Sequence, residues 1–325
     1  MEYRKIVKSG NTSYVVSIPR DWILKNKVEK GSIISIEENS ENALVIRAGE
    51  QHEIKKEKSV SINLNEITPA TLRREVVSCY INGYSTVEFF GKSAKEKAEA
   101  IKKEVEELIA FEIMEMSPKR IVVKDCLSVE QMSAESIVRK MDVTAREMIK
   151  EALTVLEAKE KKDANAISEG IDSIESMDKN MNRLVFLSSK IVREALENSL
   201  LAQKLKLSPL NILVQNIITT TLENLGDNVK NLARFASMPA SVEELRFIKH
   251  QLAASLENYE DVIKAYFTAD KQKSNNVSDV KHMLREKNED FLKAKRSVGA
   301  VRMVERLQAI ESFIGIISRT TIDMA

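Results

Sequence analysis

The chain reads as a multidomain protein in three parts: a small all-β head, an α+β middle layer and an all-α C-terminal body. Three observations give that reading. Residues 4–22 run from a basic strand through a Gly-Asn turn into a second β-rich strand that stops at Pro19. Residues 59–125 alternate between strand-like and helix-like patterns. After Leu127 only four glycines and two prolines remain, and apolar residues recur at helical spacing.

In the head, residues 1–48, Arg4 to Ser9 form the basic strand, Gly10-Asn11 the turn and Thr12 to Ile18 the second strand. A short helical segment follows Pro19. Gly31 to Ile36 and Ala43 to Ile46 supply two more strands. So small a β unit cannot bury a core alone. The chain's formal charge is +1, so any nucleic-acid contact must come from a local patch. The first thirty residues hold seven Lys/Arg against three acids. Duplex DNA needs cations at phosphate spacing and side chains that reach a groove. Arg4, Lys5 and Lys8 on or beside the first strand, Asn11 in the turn and Arg20 after Pro19 are the candidates. A twofold dimer would double the set. The plain alternative is a solvated basic strand. Trp22 and Tyr14 suit a dimer core better than base stacking.

Residues 49–58 are a charged linker. Within 59–125, Val60 to Leu64 alternates as a strand does, and Pro69 opens a helix to about Ile81, where a first-turn proline belongs. Asn82-Gly83 stops it. Ser85 to Phe90 is a strand, Ala94 to Ile109 an amphipathic helix, and Phe111–Met116 with Arg120–Lys124 a hairpin around Ser117-Pro118-Lys119. The sum is β-α-β-α-β-β, a small α+β layer.

Residues 128–325 carry six expected helices, at about 129–158, 163–201, 210–236, 241–268, 277–296 and 299–324. Met177, Met181, Leu184, Ile191 and Ala195 illustrate one apolar face. Pro209 and Pro239 each follow a plausible helix end. Short polar turns between such helices imply bundle packing. A shift of 92 residues lays the third helix on the sixth, pairing Leu222 with Ile314 and Leu225 with Ile317. The apolar seam survives the shift and the polar residues do not.

Glu223 and Asp227 stand at i and i+4 on one face of the third helix. Like charges there repel slightly unless a cation bridges them. A solvated or salt-bridged face explains the same spacing. Asp172, Glu175 and Asp178 occupy neighbouring turns of the second helix, with neutral Asn182 one turn on. Packed against the third helix they could complete a multi-carboxylate site, or they form its wet side. His52, His250 and His282 share no ligand spacing, and no Ser/His/Asp order or phosphate-gripping glycine loop can be assembled. The expectation is a protein without catalytic activity. Cys79 and Cys126 fit no metal or redox spacing and suit a reducing cytoplasm. The start lacks the apolar run of a signal peptide. Residues 210–222, the longest apolar stretch, are interrupted by Asn211, Gln215 and Asn216, short of the ~18 apolar residues of a membrane span. No membrane insertion is expected.

Lys8 to Trp22, followed by Val28-Glu29-Lys30-Gly31, resembles the AbrB/MazE-type (SpoVT-AbrB) swapped-hairpin domain over residues 4–48. The resemblance implies an obligate homodimer whose interleaved hairpins bind double-stranded DNA. It places Arg4, Lys5, Lys8, Asn11 and Arg20 on DNA-facing positions. Ser17 stands where some relatives carry a basic residue.

Leu222-Glu223-Asn224-Leu225-Gly226-Asp227-Asn228-Val229-Lys230-Asn231-Leu232-Ala233 resembles the third-helix signature of the PhoU family of phosphate-uptake regulators. Asp178, Asn182-Arg183-Leu184 and Phe186-Leu187 resemble its second-helix signature. The likeness spans 128–325 and implies two three-helix repeats, 128–238 and 239–325. It also implies a divalent or iron metal cluster, here on Glu223, Asp227, Asp178 and Glu175. Asn182 replaces the usual acid, Asn228 a common histidine, and Gly315 and Arg319 the second repeat's acid pair. One cluster at most is therefore implied. Together the two likenesses imply a cytoplasmic, dimeric DNA-binding regulator of phosphate uptake. An adaptor contacting a phosphate ABC transporter or sensor kinase, with the head only dimerising, is the alternative. A metallohydrolase built on Glu223 and Asp227 lacks a base.

Overall fold

The computed structural model describes residues 2–38, 43–49 and 58–324. Most of the expected linker, with His52, lies outside the described residues. The chain divides into two compact units, Met1–Glu57 and Lys58–Ala325.

In the first unit, β1 (Val7–Ser9) and β2 (Ser13–Val15) form an antiparallel hairpin with Lys8 opposite Tyr14. Gly10 enters the turn at φ +74°, a conformation that a side chain would strain. Pro19 precedes the short helix α1 (Arg20–Lys25). A second antiparallel ribbon pairs β3 (Ile34–Glu38) with β4 (Leu44–Ala48), putting Ile36 opposite Ile46. No described residue of this unit is buried.

The second unit begins with the α+β layer, whose β-α-β-α-β-β order is the expected one. Its elements are β5 (Ser59–Asn63), α2 (Pro69–Ile81), β6 (Thr86–Phe90), α3 (Ala94–Glu106), β7 (Phe111–Ser117) and β8 (Arg120–Asp125). The sheet order is β5-β6-β8-β7. β5 and β6 are parallel, which requires the α2 crossover; the other pairs are antiparallel. Leu72, Val76, Val87, Phe89, Ile101, Phe111 and Ile121 fill its core.

Seven helices follow: α4 (Ala134–Lys161), α5 (Ala164–Glu197), α6 (Ser199–Lys204), α7 (Pro209–Phe235), α8 (Val242–Thr268), α9 (Lys271–Leu292) and α10 (Val298–Met324). Three of the expected helices start or stop elsewhere, in each case where a side chain caps a helix start. The first helix starts at Ala134, since Val129–Gln131 make a 3-10 turn and the Ser133 hydroxyl accepts from the Ser136 amide. The second stops at Glu197, where the Asn198 side chain caps a new helix, α6. The fifth already begins at Lys271 because the Asp270 carboxylate accepts from the Lys273 amide, and it ends at Leu292. Helices α4, α5 and α7 pack on one another, as do α8, α9 and α10; α7 against α10 and α4 against α8 join the two sets. Met141, Met148, Met181, Leu222, Leu225 and Ile310 share the resulting core. No helix among the described residues is long and apolar enough to cross a membrane.

A buried ion pair fastens the α+β layer to the helices. Lys190 Nζ on α5 lies 2.5 Å from Asp125 Oδ2 at the end of β8, and both side chains are wholly buried. The same ammonium sits 4.6 Å from the centre of the Tyr80 ring on α2. The Tyr80 hydroxyl donates to the Ile109 carbonyl at 3.0 Å. At the rim, Lys58 pairs with Glu197 at 2.6 Å and Arg193 donates to Asn82 at 2.7 Å.

Removing one partner of a dry ion pair leaves the other charge stranded, at a cost of about 3–5 kcal/mol, whereas replacing both with apolar groups can be nearly neutral. Lys190→Met should therefore lower unfolding stability in urea by about that amount. Combining it with Asp125→Leu should recover most of the loss. A single variant as stable as the wild type would contradict the assignment.

Candidate functional site

The five expected DNA-facing residues are all exposed in the first unit. Lys8 lies in β1, Asn11 in the turn, and Arg20 opens α1. Arg4 turns back on its own neighbourhood: Nη2 pairs with Glu2 at 2.5 Å and Nη1 donates to the Ser17 hydroxyl at 3.4 Å. That contact ties the leading strand to the residue before Ile18-Pro19. The same unit leaves large apolar side chains mostly exposed. Tyr14 is 69% exposed, Val7 58%, Leu24 64% and Ile36 56%.

The acidic residues named for a metal do gather where α5 meets α7, but two of them, Asp178 and Asp227, share a lysine. Lys230 Nζ lies 2.7 Å from Asp178 Oδ2 on α5 and 2.5 Å from Asp227 Oδ1 on its own helix. Asn182 adds a longer contact, its amide donating to Asp178 at 3.4 Å. Arg234 grips Glu175 through Nε at 2.9 Å and Nη2 at 2.6 Å. Burial raises the Asp178 carboxyl above its ordinary pKa, while Lys230 pulls it down. Glu223 is raised too, by burial first and then by Asp227 and Asp178. Burial works against the Lys230 ammonium, yet its two carboxylate bonds keep its pKa above the usual value. Among the described residues, no group of three or more His, Cys, Asp or Glu side chains converges to hold a metal ion. With ammonium between Asp178 and Asp227 and guanidinium on Glu175, the residues present do not fit a multinuclear cluster.

Asn228 has a different task from ligation. Its side-chain oxygen accepts from Arg306 of α10 at 3.2 Å, and its amide donates to the Asn224 carbonyl at 2.8 Å. It helps link α7 to α10. His250 and His282 are exposed on α8 and α9.

One group in the helical body escaped the sequence reading. Glu311 of α10 is 1% exposed, and its Oε2 accepts from Asn258 of α8 at 3.4 Å. One turn on, the Lys281 side chain lies against Gly315, where a Cβ would approach Lys281 Cδ at 2.8 Å and make the flexible end of the lysine shift. An acid placed on an otherwise apolar helical stripe was the available signal.

A scan of the chain against protein-family models finds no match, and a search of curated proteins finds none either.

Burial holds the Glu311 carboxyl above its ordinary pKa, with hydrogen bonds from Ser255 and Asn258 and the charge of Lys281 opposing. The fold thus favours the neutral acid. Stability from this group is complete below the ordinary carboxylate range and is lost as pH rises through the raised value. Glu311→Gln, which cannot ionise, should flatten the decline of unfolding free energy as pH rises above the ordinary carboxylate range. Superimposable pH profiles for variant and wild type would refute this.

Proposed function

We propose that the protein is a dimeric DNA-binding regulator that couples phosphate status to transcription of uptake genes, with an AbrB-type head and a PhoU-type body. One observation carries the reading: the head exposes apolar side chains on both ribbons, buries no described residue, and sets cations on its leading hairpin. A unit of this size needs further apolar surface to be stable. A second copy supplies it by twofold pairing, and the cations of the two copies then form one surface for the phosphates of a duplex. The two mutually packed helix triplets, α4-α5-α7 and α8-α9-α10, support the two-repeat reading of the body.

Arg4, Lys5, Lys8 and Arg20 would neutralise backbone phosphates, while Asn11 at the hairpin tip is short and polar enough to approach a groove. A signal received by the body can alter DNA affinity only if it binds two arrangements of the protein unequally. In this reading the signal is a partner or phosphate itself, whereas direct control of a transporter or sensor kinase by contact, with the head only dimerising, is the adaptor alternative.

If about six of the eight cations in a dimer each neutralise a phosphate, binding to DNA fragments selected from a genomic library should weaken with salt at a log–log slope of about −5. Replacing Arg4, Lys5 and Arg20 together by alanine should abolish that binding and leave the dimer intact. A salt-independent affinity, or full binding by the triple variant, would remove the DNA role. Unchanged control of phosphate transport by the triple variant would favour the adaptor.

A further inference from the structure

We infer that Lys230 is the resident cation of the acidic cluster between α5 and α7, and that it closes this part of the body without a metal ion. The inference stands on distances in the second unit and does not depend on whether the head binds DNA.

Asp227 and Lys230 are three residues apart on α7, so their side chains leave the same face. Asp178 reaches the same ammonium from α5, and the Lys230 and Asp178 side chains are only 14% and 11% exposed. A charge pair so sheltered is screened much less by salt than a surface pair. The ammonium occupies the space between two carboxylate oxygens that a bridging ion would need. An ion there would have to expel Lys230 or accept a positive charge at contact distance.

The neighbours limit the negative charge around the ammonium. Asn182, one turn from Asp178, presents a neutral amide that donates to the same Asp178 oxygen. A carboxylate at that position would add a further negative charge beside the two carboxylates that already share one lysine. Glu175, the next acid along α5, is held by Arg234 of α7. Two clasps therefore run from α7 to α5, a sheltered one from Lys230 and a more exposed one from Arg234. A metal-bridged junction would loosen when metal is scarce; this one holds at any metal concentration. The body's signal then has to be something other than a divalent ion at this cluster.

The test uses the full-length chain, dialysed against a chelator and then exposed to manganese, zinc or ferrous iron. Metal content is read by mass spectrometry and stability by thermal unfolding. The wild type should retain no stoichiometric metal, and its melting temperature should respond neither to chelator nor to millimolar manganese. Lys230→Ala strands Asp178 and Asp227 beside each other, so it should melt several degrees lower and regain part of that loss with manganese. Lys230→Met, which keeps the side-chain volume, separates lost charge from lost packing and should behave like the alanine variant. Stoichiometric metal in the dialysed wild type, or a wild-type melting temperature that falls with chelator, would overturn the inference. So would lysine variants as stable as the wild type. Should the lysine variants fail to fold, the wild-type metal content and chelator response decide the matter.

Discussion

The N-terminal unit carries apolar side chains that one copy of it leaves in water, and the functional reading of the whole protein rests on how they are covered. Val7 opposite Val15 in the hairpin, and Ile36 opposite Ile46 in the second ribbon, are cross-strand pairs of the kind that stabilise sheets when one face is dry. None of them is buried. Two-stranded ribbons are marginal alone in water, so the unit's order must come from a further layer. The hairpin that needs this layer also carries the cations, so in the proposed reading pairing and duplex contact are two consequences of one arrangement.

The second unit is built on the opposite principle. Its helices and sheet bury their own apolar faces, and the polar groups left inside are deployed at junctions. Lys190 and Asp125 join sheet to helix. Tyr259 of α8 donates to Asp142 of α4 at 3.1 Å, joining the two helix sets. Glu244, which caps α8, also accepts from the Ser297 backbone at 2.9 Å and so fixes the start of α10. Pairs and networks of this kind add little net stability over apolar packing, but each is unforgiving of single substitutions. They define which elements meet and in what register.

Much of the fold was legible because its signals are local. Gly10 marks the hairpin turn, Pro69 the start of α2 and Pro209 the start of α7, and the β-α-β-α-β-β alternation follows from periodicity. The shifted boundaries were also local, but set by caps: Ser133, Asn198 and Asp270 take up backbone amides where apolar spacing alone runs on. What sequence could not give was pairing across long separations. The i,i+4 spacing of Glu223 and Asp227 was visible, while the cation that answers Asp227 also reaches Asp178, 52 residues before it. Lys190 looked like any helix lysine until the end of β8 was brought beside it. Glu311 sat in plain view on α10, yet its burial depends on α8 and α9 packing over it.

The most direct test is the mass of the intact protein in solution, followed by sedimentation from micromolar to nanomolar concentration. A particle of two chains that persists on dilution, and becomes a single chain when Val7 and Val15 are both replaced by lysine, is the outcome this account predicts. A single-chain particle for the wild type at every concentration, with its N-terminal amides exchanging as fast as an unfolded peptide, would contradict it.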